Sequence, residues 1–432
     1  MNKLAEELNT QLNGTIAGRF LSPMGSRIYF PKGIIAQSAE AKKAGGKANA
    51  TIGMAYSKGQ PLILSAVAES MPGLTAEQIV AYAPTAGVEQ LRSVWLNDIL
   101  KKNPSLKKEK LSLPVVVQGL TSGLSTIADF FLEENSVIIS SDPCWDNYSL
   151  IFEERRGAIL RGVPFVSSGA GMDLDAIGKA IRDEAKKGKV RIIFNFPNNP
   201  SGYSPTKAEA QALAGFLREA AEGGADVLVI CDDAYFGLFY EDNIYRESMF
   251  SLLADLHERI LAVKIDGPIK EDYVWGLRTA FVTFGSRGLG QEHYNALVTK
   301  MMGAVRSSVS CVNTPAQYIV IKALEDSRTP KEKAGFQDLM QNRYNEVKKF
   351  ISQNPEHTAL KPHPFNSGYF MSFQCKGVSA EALRKELLSR HGIGVISLGE
   401  QCLRVAYSSL EADQISEVFR TIYDVAAKMA NN

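Results

Sequence analysis

Between residues 115 and 284 the chain repeats one pattern, in which a short run is apolar on successive residues and a longer stretch is apolar every three or four. The runs are Val115–Val117, Val137–Ile139, Arg191–Phe194, Val227–Ile230, Ile260–Ile265 and Ala280–Phe284. Helical periodicity falls near 123–133, 173–187, 206–222 and 245–257. A strand with one covered face alternates apolar and polar residues, whereas a strand covered on both faces is apolar throughout. The pattern therefore predicts an α/β fold whose mostly parallel sheet is flanked by helices on both sides. Ahead of it lie an amphipathic stretch at 3–17, a Gly- and Ala-rich connection from Leu21 to Ala50, and helices near 62–70 and 87–102. The second of these helices sets Leu91, Val94, Trp95 and Ile99 on one face. After Pro315 long helices near 315–326, 331–353, 379–391 and 410–430 alternate with short strands at Tyr369–Phe373, Val395 and Leu403–Ala406. We expect a large domain over 51–315 and a smaller α+β domain over 316–432, to which 1–50 returns.

Composition narrows the class without changing this picture. At 432 residues two domains are the default, and 45% apolar with 22% charged residues is ordinary for a globular chain. The net charge of +1 leaves no basic surplus for a nucleic-acid partner, the locally basic Lys101–Lys110 reading as a solvated helix end. Five widely spaced cysteines form no CxxC pair and no metal-ligand spacing with the five histidines, so no metal is expected and a reducing compartment is. No window approaches the roughly 18 uncharged apolar residues of a membrane span. The expectation is a soluble cytoplasmic protein.

Candidate chemistry gathers at the strand ends, where ligands of open α/β sheets bind. Val115–Val117 runs into QGLTSGL, a Gly-bearing turn that opens a helix and whose free N–H groups suit a phosphate. Val137–Ile139 is followed by DPCWDNY with Trp145, a flat surface for a planar ring, and Arg191–Phe194 by the turn NFPNNPSG with Asn199, a donor for a ring oxygen. Val227–Ile230 leads to CDDAYFG, where a buried acid, Asp232, needs a cation to face. Ile260–Ile265 breaks at Asp266-Gly267-Pro268, with Lys270 next and Arg278 eight residues later. A desolvated lysine amine is a Schiff-base former. A phosphate cradle, a stacking aromatic, a ring-oxygen donor, a carboxylate and an amine would together serve pyridoxal 5'-phosphate.

NNPSG, DDAY, and Lys270 with Arg278 resemble the class I and II aminotransferases of fold type I, in the right order from about Thr51 to Arg404. The resemblance implies a pyridoxal-phosphate enzyme that exchanges the amino group of an α-amino acid, of aspartate, glutamate or aromatic type, with a 2-oxo acid. A β-lyase or decarboxylase on the same fold is the alternative. It implies that Lys270 holds the cofactor covalently and shuttles the substrate Cα proton, that Asp232 pairs with the pyridine nitrogen, and that Tyr235 and Asn199 donate to the ring oxygen. Arg278, with Gly119, Leu120 and Thr121, would hold the phosphate, and Trp145 would stack on the ring. Tyr82, in YAPTAGVEQLR, corresponds to the tyrosine that reaches the neighbouring subunit's phosphate, which implies a homodimer with shared sites. Arg404 would clamp the substrate carboxylate and Gly53, in TIGMA, would close over it. Arg306, in AVRSSVSCVNTPAQ, falls near the arginine that reads a side-chain carboxylate across the dimer. Two positions depart from the family: Gly267 stands where a phosphate-binding Ser or Thr is usual, and Ile269 where Ser or Ala precedes the lysine. Lys264 is the rival amine, but its spacing to Arg278 does not match.

Overall fold

The computed structural model describes residues 1–12, 34–51, 53, 55–62, 64–70, 73–166 and 171–430. Residues 13–17 of the expected first helix and 21–33 of the connection lie outside them; the helix itself is described over Lys3–Leu12.

Seven strands form the principal sheet: Val115–Gln118 (β1), Val137–Asp142 (β2), Ile159–Pro164 (β3), Lys189–Asn195 (β4), Asp226–Asp232 (β5), Ile260–Asp266 (β6) and Thr279–Gly285 (β7). Their order is β1-β7-β6-β5-β4-β2-β3, and β7 alone runs antiparallel to its neighbours. Helices Gly119–Phe131 (α2, following Glu89–Lys102 as α1), Leu174–Ala185 (α3) and Lys207–Glu222 (α4) cover the two faces. β5 sends Leu228 and Ile230 into the core under α2, and Val227, Val229 and Cys231 into the core under α3 and α4. Both faces of the strand are therefore dry, which explains the unbroken apolar runs, and each fully buried aliphatic residue contributes about 1.5–3 kcal/mol.

Strand direction decides what the carboxyl edge of this sheet carries. The parallel strands β4, β5 and β6 end side by side at Asn195, Asp232 and Asp266, with Asn195 level with Asp232 and Asp232 level with Ile265. Because β7 is antiparallel, its first residue Thr279 lies at that same edge, level with Gln118 at the end of β1. Arg278, immediately before Thr279, is thus delivered beside the start of α2.

A second, four-stranded antiparallel sheet contains Leu360–Pro362 (β8), Met371–Cys375 (β9), Ile396–Leu398 (β10) and Cys402–Val405 (β11) in the order β8-β9-β11-β10. It packs with Thr329–Gln353, Ala380–His391 and Ala412–Ala430. The segment before residue 51 is fastened here: Ala48–Asn49 pairs with Ile393–Gly394, and the Gln37 side chain exchanges two hydrogen bonds with the Ser397 backbone.

Four elements differ from expectation. β3 is an edge strand with half-buried Arg161 and exposed Gly162 and so has no apolar run to betray it. Gln291–Ser308 forms a long helix whose surface is mostly polar and exposed, which hid its periodicity, and the helix expected at 245–257 contracts to Met249–Leu253, capped by Ser248. α2 starts at Gly119, directly from β1, instead of at residue 123.

Candidate active site

A cavity of about 210 Å³ opens at the carboxyl edge, lined by Leu120, Thr121, Trp145, Asn195, Asn199, Asp232, Ala234, Tyr235, Ile269, Lys270 and Arg278. Asp232 is its most constrained member. Tyr148 Oη donates to Asp232 Oδ2 at 2.5 Å, while Oδ1 is buried and has no hydrogen-bond partner among the described residues. Burial pushes the carboxyl up to about 6, against the pull of Tyr148 and Lys270. A buried oxygen left without a donor costs free energy unless a ligand supplies one. Tyr148 stands just before a π-helical turn over Ser149–Glu154, a winding that recurs at functional sites. Burial and the Asp232 charge keep its phenol protonated, as a donor must be.

Lys270 sits in the short helical turn Pro268–Glu271, its carbonyl held by Tyr369 Oη at 2.9 Å and its Nζ 4.6 Å from the centre of the Tyr235 ring. Burial lowers its ammonium to about 8, with Asp232 resisting and Arg278 assisting. The amine is therefore neutral in most molecules just above that pH. Lys264 has the opposite environment. It is equally buried, but its ammonium pairs with Asp233 and with Asp266 at 3.2 Å, which hold it protonated.

On the same cavity, α2 begins with no side-chain cap, so its first N–H groups are available to an anion. Gly119 has φ +79° and lies against the Arg278 guanidinium, which leaves no room for a Cβ. Arg278 itself takes the left-handed conformation, φ 51°, a strain that for a non-glycine residue costs on the order of 1–3 kcal/mol and gathers at functional sites. At Gly267 a Cβ would lie 2.9 Å from Ala280 Cα and from Thr279 O, so β7 excludes a hydroxyl-bearing side chain there.

Arg404, on β11, is buried with its guanidinium 4.2 Å from the centre of the Phe370 ring. Nη1 donates to Asn199 Oδ1 at 3.0 Å and Nη2 to the Thr51 carbonyl at 3.3 Å, but Nε is buried without an acceptor among the described residues. The free edge of a guanidinium is matched to a carboxylate. Asn195 ties this group to the first: its Nδ2 donates to the Asp232 carbonyl at 2.9 Å and its Oδ1 accepts the Asn199 amide at 2.8 Å.

Residues 53–422 match the family model described as aminotransferase class I and II. The chain belongs to the class I and II aminotransferases. Among curated relatives of this enzyme, an aspartate aminotransferase of Pyrococcus abyssi is 22% identical over 339 residues, 76% of this chain and 79% of the relative. A probable aspartate/prephenate aminotransferase of Aquifex aeolicus is 24% identical over 307 residues, covering 70% of each. A solved aminotransferase of Anaerococcus prevotii superposes with a TM-score of 0.82 at 22% identity, covering 92% of this chain and 98% of that one.

Of the aminotransferase residues expected from sequence, Lys270, Asp232, Tyr235, Asn199, Trp145, Leu120, Thr121 and Arg278 meet around one cavity, with Gly119 behind Arg278 and Arg404 joined through Asn199. A Cβ on Gly53 would lie 3.4 Å from Phe370 and 3.9 Å from Tyr235 Oη, so its backbone closes over that ring pair. Two residues stand apart within the chain. Tyr82 is 89% exposed, and Arg306 is exposed on the Gln291–Ser308 helix, where it donates to Ser310 Oγ. Tyr148, Asn195 and Phe370 were not singled out from sequence. Tyr148 had a usable signal, since it follows Trp145 by three residues in the same turn.

The lowered Lys270 ammonium yields a direct expectation in the cofactor-free enzyme. An amine-selective reagent in limiting amount should label Lys270 with a pH midpoint near 8, because the reactive neutral form grows as pH rises through that value. A midpoint in the ordinary lysine range, near 10.4, would show that burial does not control this amine.

Proposed function

We propose that the cavity holds pyridoxal phosphate and that the enzyme moves the amino group of an α-amino acid, of aspartate or aromatic type, to a 2-oxo acid. The observation that carries the reading is the unpartnered Asp232 Oδ1 on the same small cavity as the deprotonation-prone Lys270. A pyridinium N–H supplies the donor that oxygen lacks, and the carboxylate keeps that nitrogen protonated. When bound, the cofactor supplies an electron sink for the carbanion formed at the substrate Cα.

The chain's own residues do the rest. Lys270 would hold the cofactor's aldehyde carbon through its neutral amine, with loss of water, and its freed amine would take and return the substrate Cα proton. Arg278 and the uncapped N–H groups from Gly119 onward hold the phosphate, with backbone taking the place of the hydroxyl excluded at Gly267. Tyr235 and Asn199 donate to the ring oxygen and Trp145 covers the ring. Arg404 takes the substrate carboxylate on its Nε edge, and the Phe370 ring beneath fixes the plane of the guanidinium. Gly53 closes over the same end.

Exposed Ile79, Val80 and Tyr82 adjoin the segment after the Gln291–Ser308 helix, where Thr314 Oγ1 donates to the Ala81 carbonyl at 2.7 Å, and that helix region adds exposed Met302 and Val309. This apolar surface supports a homodimer in which Tyr82 completes the partner's phosphate site and Arg306 reads a side-chain carboxylate. All five cysteines are free, which supports a reducing, cytoplasmic setting. No helix among the described residues is long and apolar enough to cross a membrane.

Two experiments test this reading. With a panel of amino acids alone, the wild type should convert bound cofactor to its amino form, and added 2-oxoglutarate should reverse the change. Asp232→Asn should fold normally, with the same far-UV dichroism, and lose at least about 100-fold in that conversion; near-wild-type rates would contradict the assignment. Sedimentation equilibrium should give a dimer, and Arg306→Ala should lower kcat/KM for aspartate and glutamate by about 30-fold or more while sparing aromatic substrates. A fully active monomer, or an equal loss on every substrate, counts against the shared site.

A further inference from the structure

Asp232 and Asp233 are adjacent and both buried, yet they line different cavities: Asp232 the active-site cavity, and Asp233 a small void behind the sheet. Two successive buried carboxylates raise each other's cost of ionisation, so each charge needs its own compensation. Asp233 accepts from Lys264 and from Ser248 Oγ at 2.6 Å. Lys264 also pairs with Asp266, which in turn accepts Trp95 Nε1–H at 2.9 Å. Side-chain exposures of 1%, 4% and 7% for Lys264, Asp233 and Asp266 leave this balance to the protein's own groups far more than to bulk water. Of the other charged groups facing the void, Asp98 and Glu271 both pair with Lys102, and Glu271 pairs also with Lys333 at 3.5 Å. Cys231, level with Lys264 on β5, is held as a neutral thiol by burial. Lys264 is therefore the one cation among the described residues that contacts Asp233.

Resting on the cofactor reading above, we propose that Lys264 is a positioning residue of the aminotransferase: its ammonium cancels Asp233 and ties the end of β5 to β6. Those are the strands that deliver Asp232 and the Lys270 turn, so Lys264 lets Asp232 serve as the pyridine's counter-charge despite the second aspartate beside it.

The test is a charge cycle on the holoenzyme, reading the pH midpoint of the absorbance band of the lysine-bound cofactor. Lys264→Met strands one negative charge behind the sheet and favours the protonated, cationic form of the lysine–cofactor bond. Its midpoint should rise by about one pH unit. Asp233→Asn removes a negative charge, leaves Lys264 paired with Asp266, and should lower the midpoint. The double variant Asp233→Asn/Lys264→Met should return to the wild-type value. If Lys264→Met alone cannot be purified, the fall in Asp233→Asn and its reversal in the double variant support the proposal equally. Shifts of the same sign in both single variants, no shift in Asp233→Asn, or a double variant that fails to return would overturn it, because loss of packing has no sign to reverse. A wild-type protein that takes up pyridoxal phosphate without any pH-dependent band, or takes up none, overturns the cofactor reading and this inference together.

Discussion

Burial of charge at the carboxyl edge of the sheet is the constraint on which the rest depends. Two lysines six residues apart in the chain are both removed from water, and their fates diverge with their partners. Lys264, between Asp233 and Asp266, gains more from two carboxylates than it loses in hydration and stays an ammonium. Lys270 faces Asp232 across the cavity and Arg278 beside it, so desolvation prevails and its ammonium falls to about 8. One sheet thereby builds a structural cation and a reactive amine from the same residue type.

The architecture makes that divergence possible. Parallel strands β4, β5 and β6 end in register, which brings Asn195, Asp232 and the Lys270 turn together, and the reversal of β7 returns the chain to the same edge with Arg278 against Gly119. The second sheet contributes Arg404 and, through Asn199 and Asn195, joins it by hydrogen bonds to the Asp232 backbone. A displacement of either sheet would be felt at both Arg404 and Asp232.

Much of this was legible in the chain. The doubly covered strands announce themselves as unbroken apolar runs, and the Lys270–Arg278 spacing is local to β6, one turn and the start of β7, so tertiary packing cannot change it. The order of turn motifs also carries the family, because each motif sits directly after its strand. What escaped depends on docking across distance. Tyr148, just ahead of the π-helical turn, bonds to Asp232 from 84 residues away in sequence, a contact that only the folded chain reveals. The steric reason for Gly267 lies in the β7 backbone, and the choice between two lysines lies in carboxylates that a spacing rule cannot place. β3 and the Gln291–Ser308 helix were hidden for a simpler reason, since exposed elements need no strict apolar period.

On the proposed reading, environment makes Lys270, and not Lys264, the amine that carries the cofactor. Borohydride reduction of the enzyme loaded with pyridoxal phosphate, followed by peptide mapping, tests it most directly. The expected product is a single pyridoxyl label on Lys270 at about one per chain; a label on Lys264, or one spread over surface lysines, would contradict it.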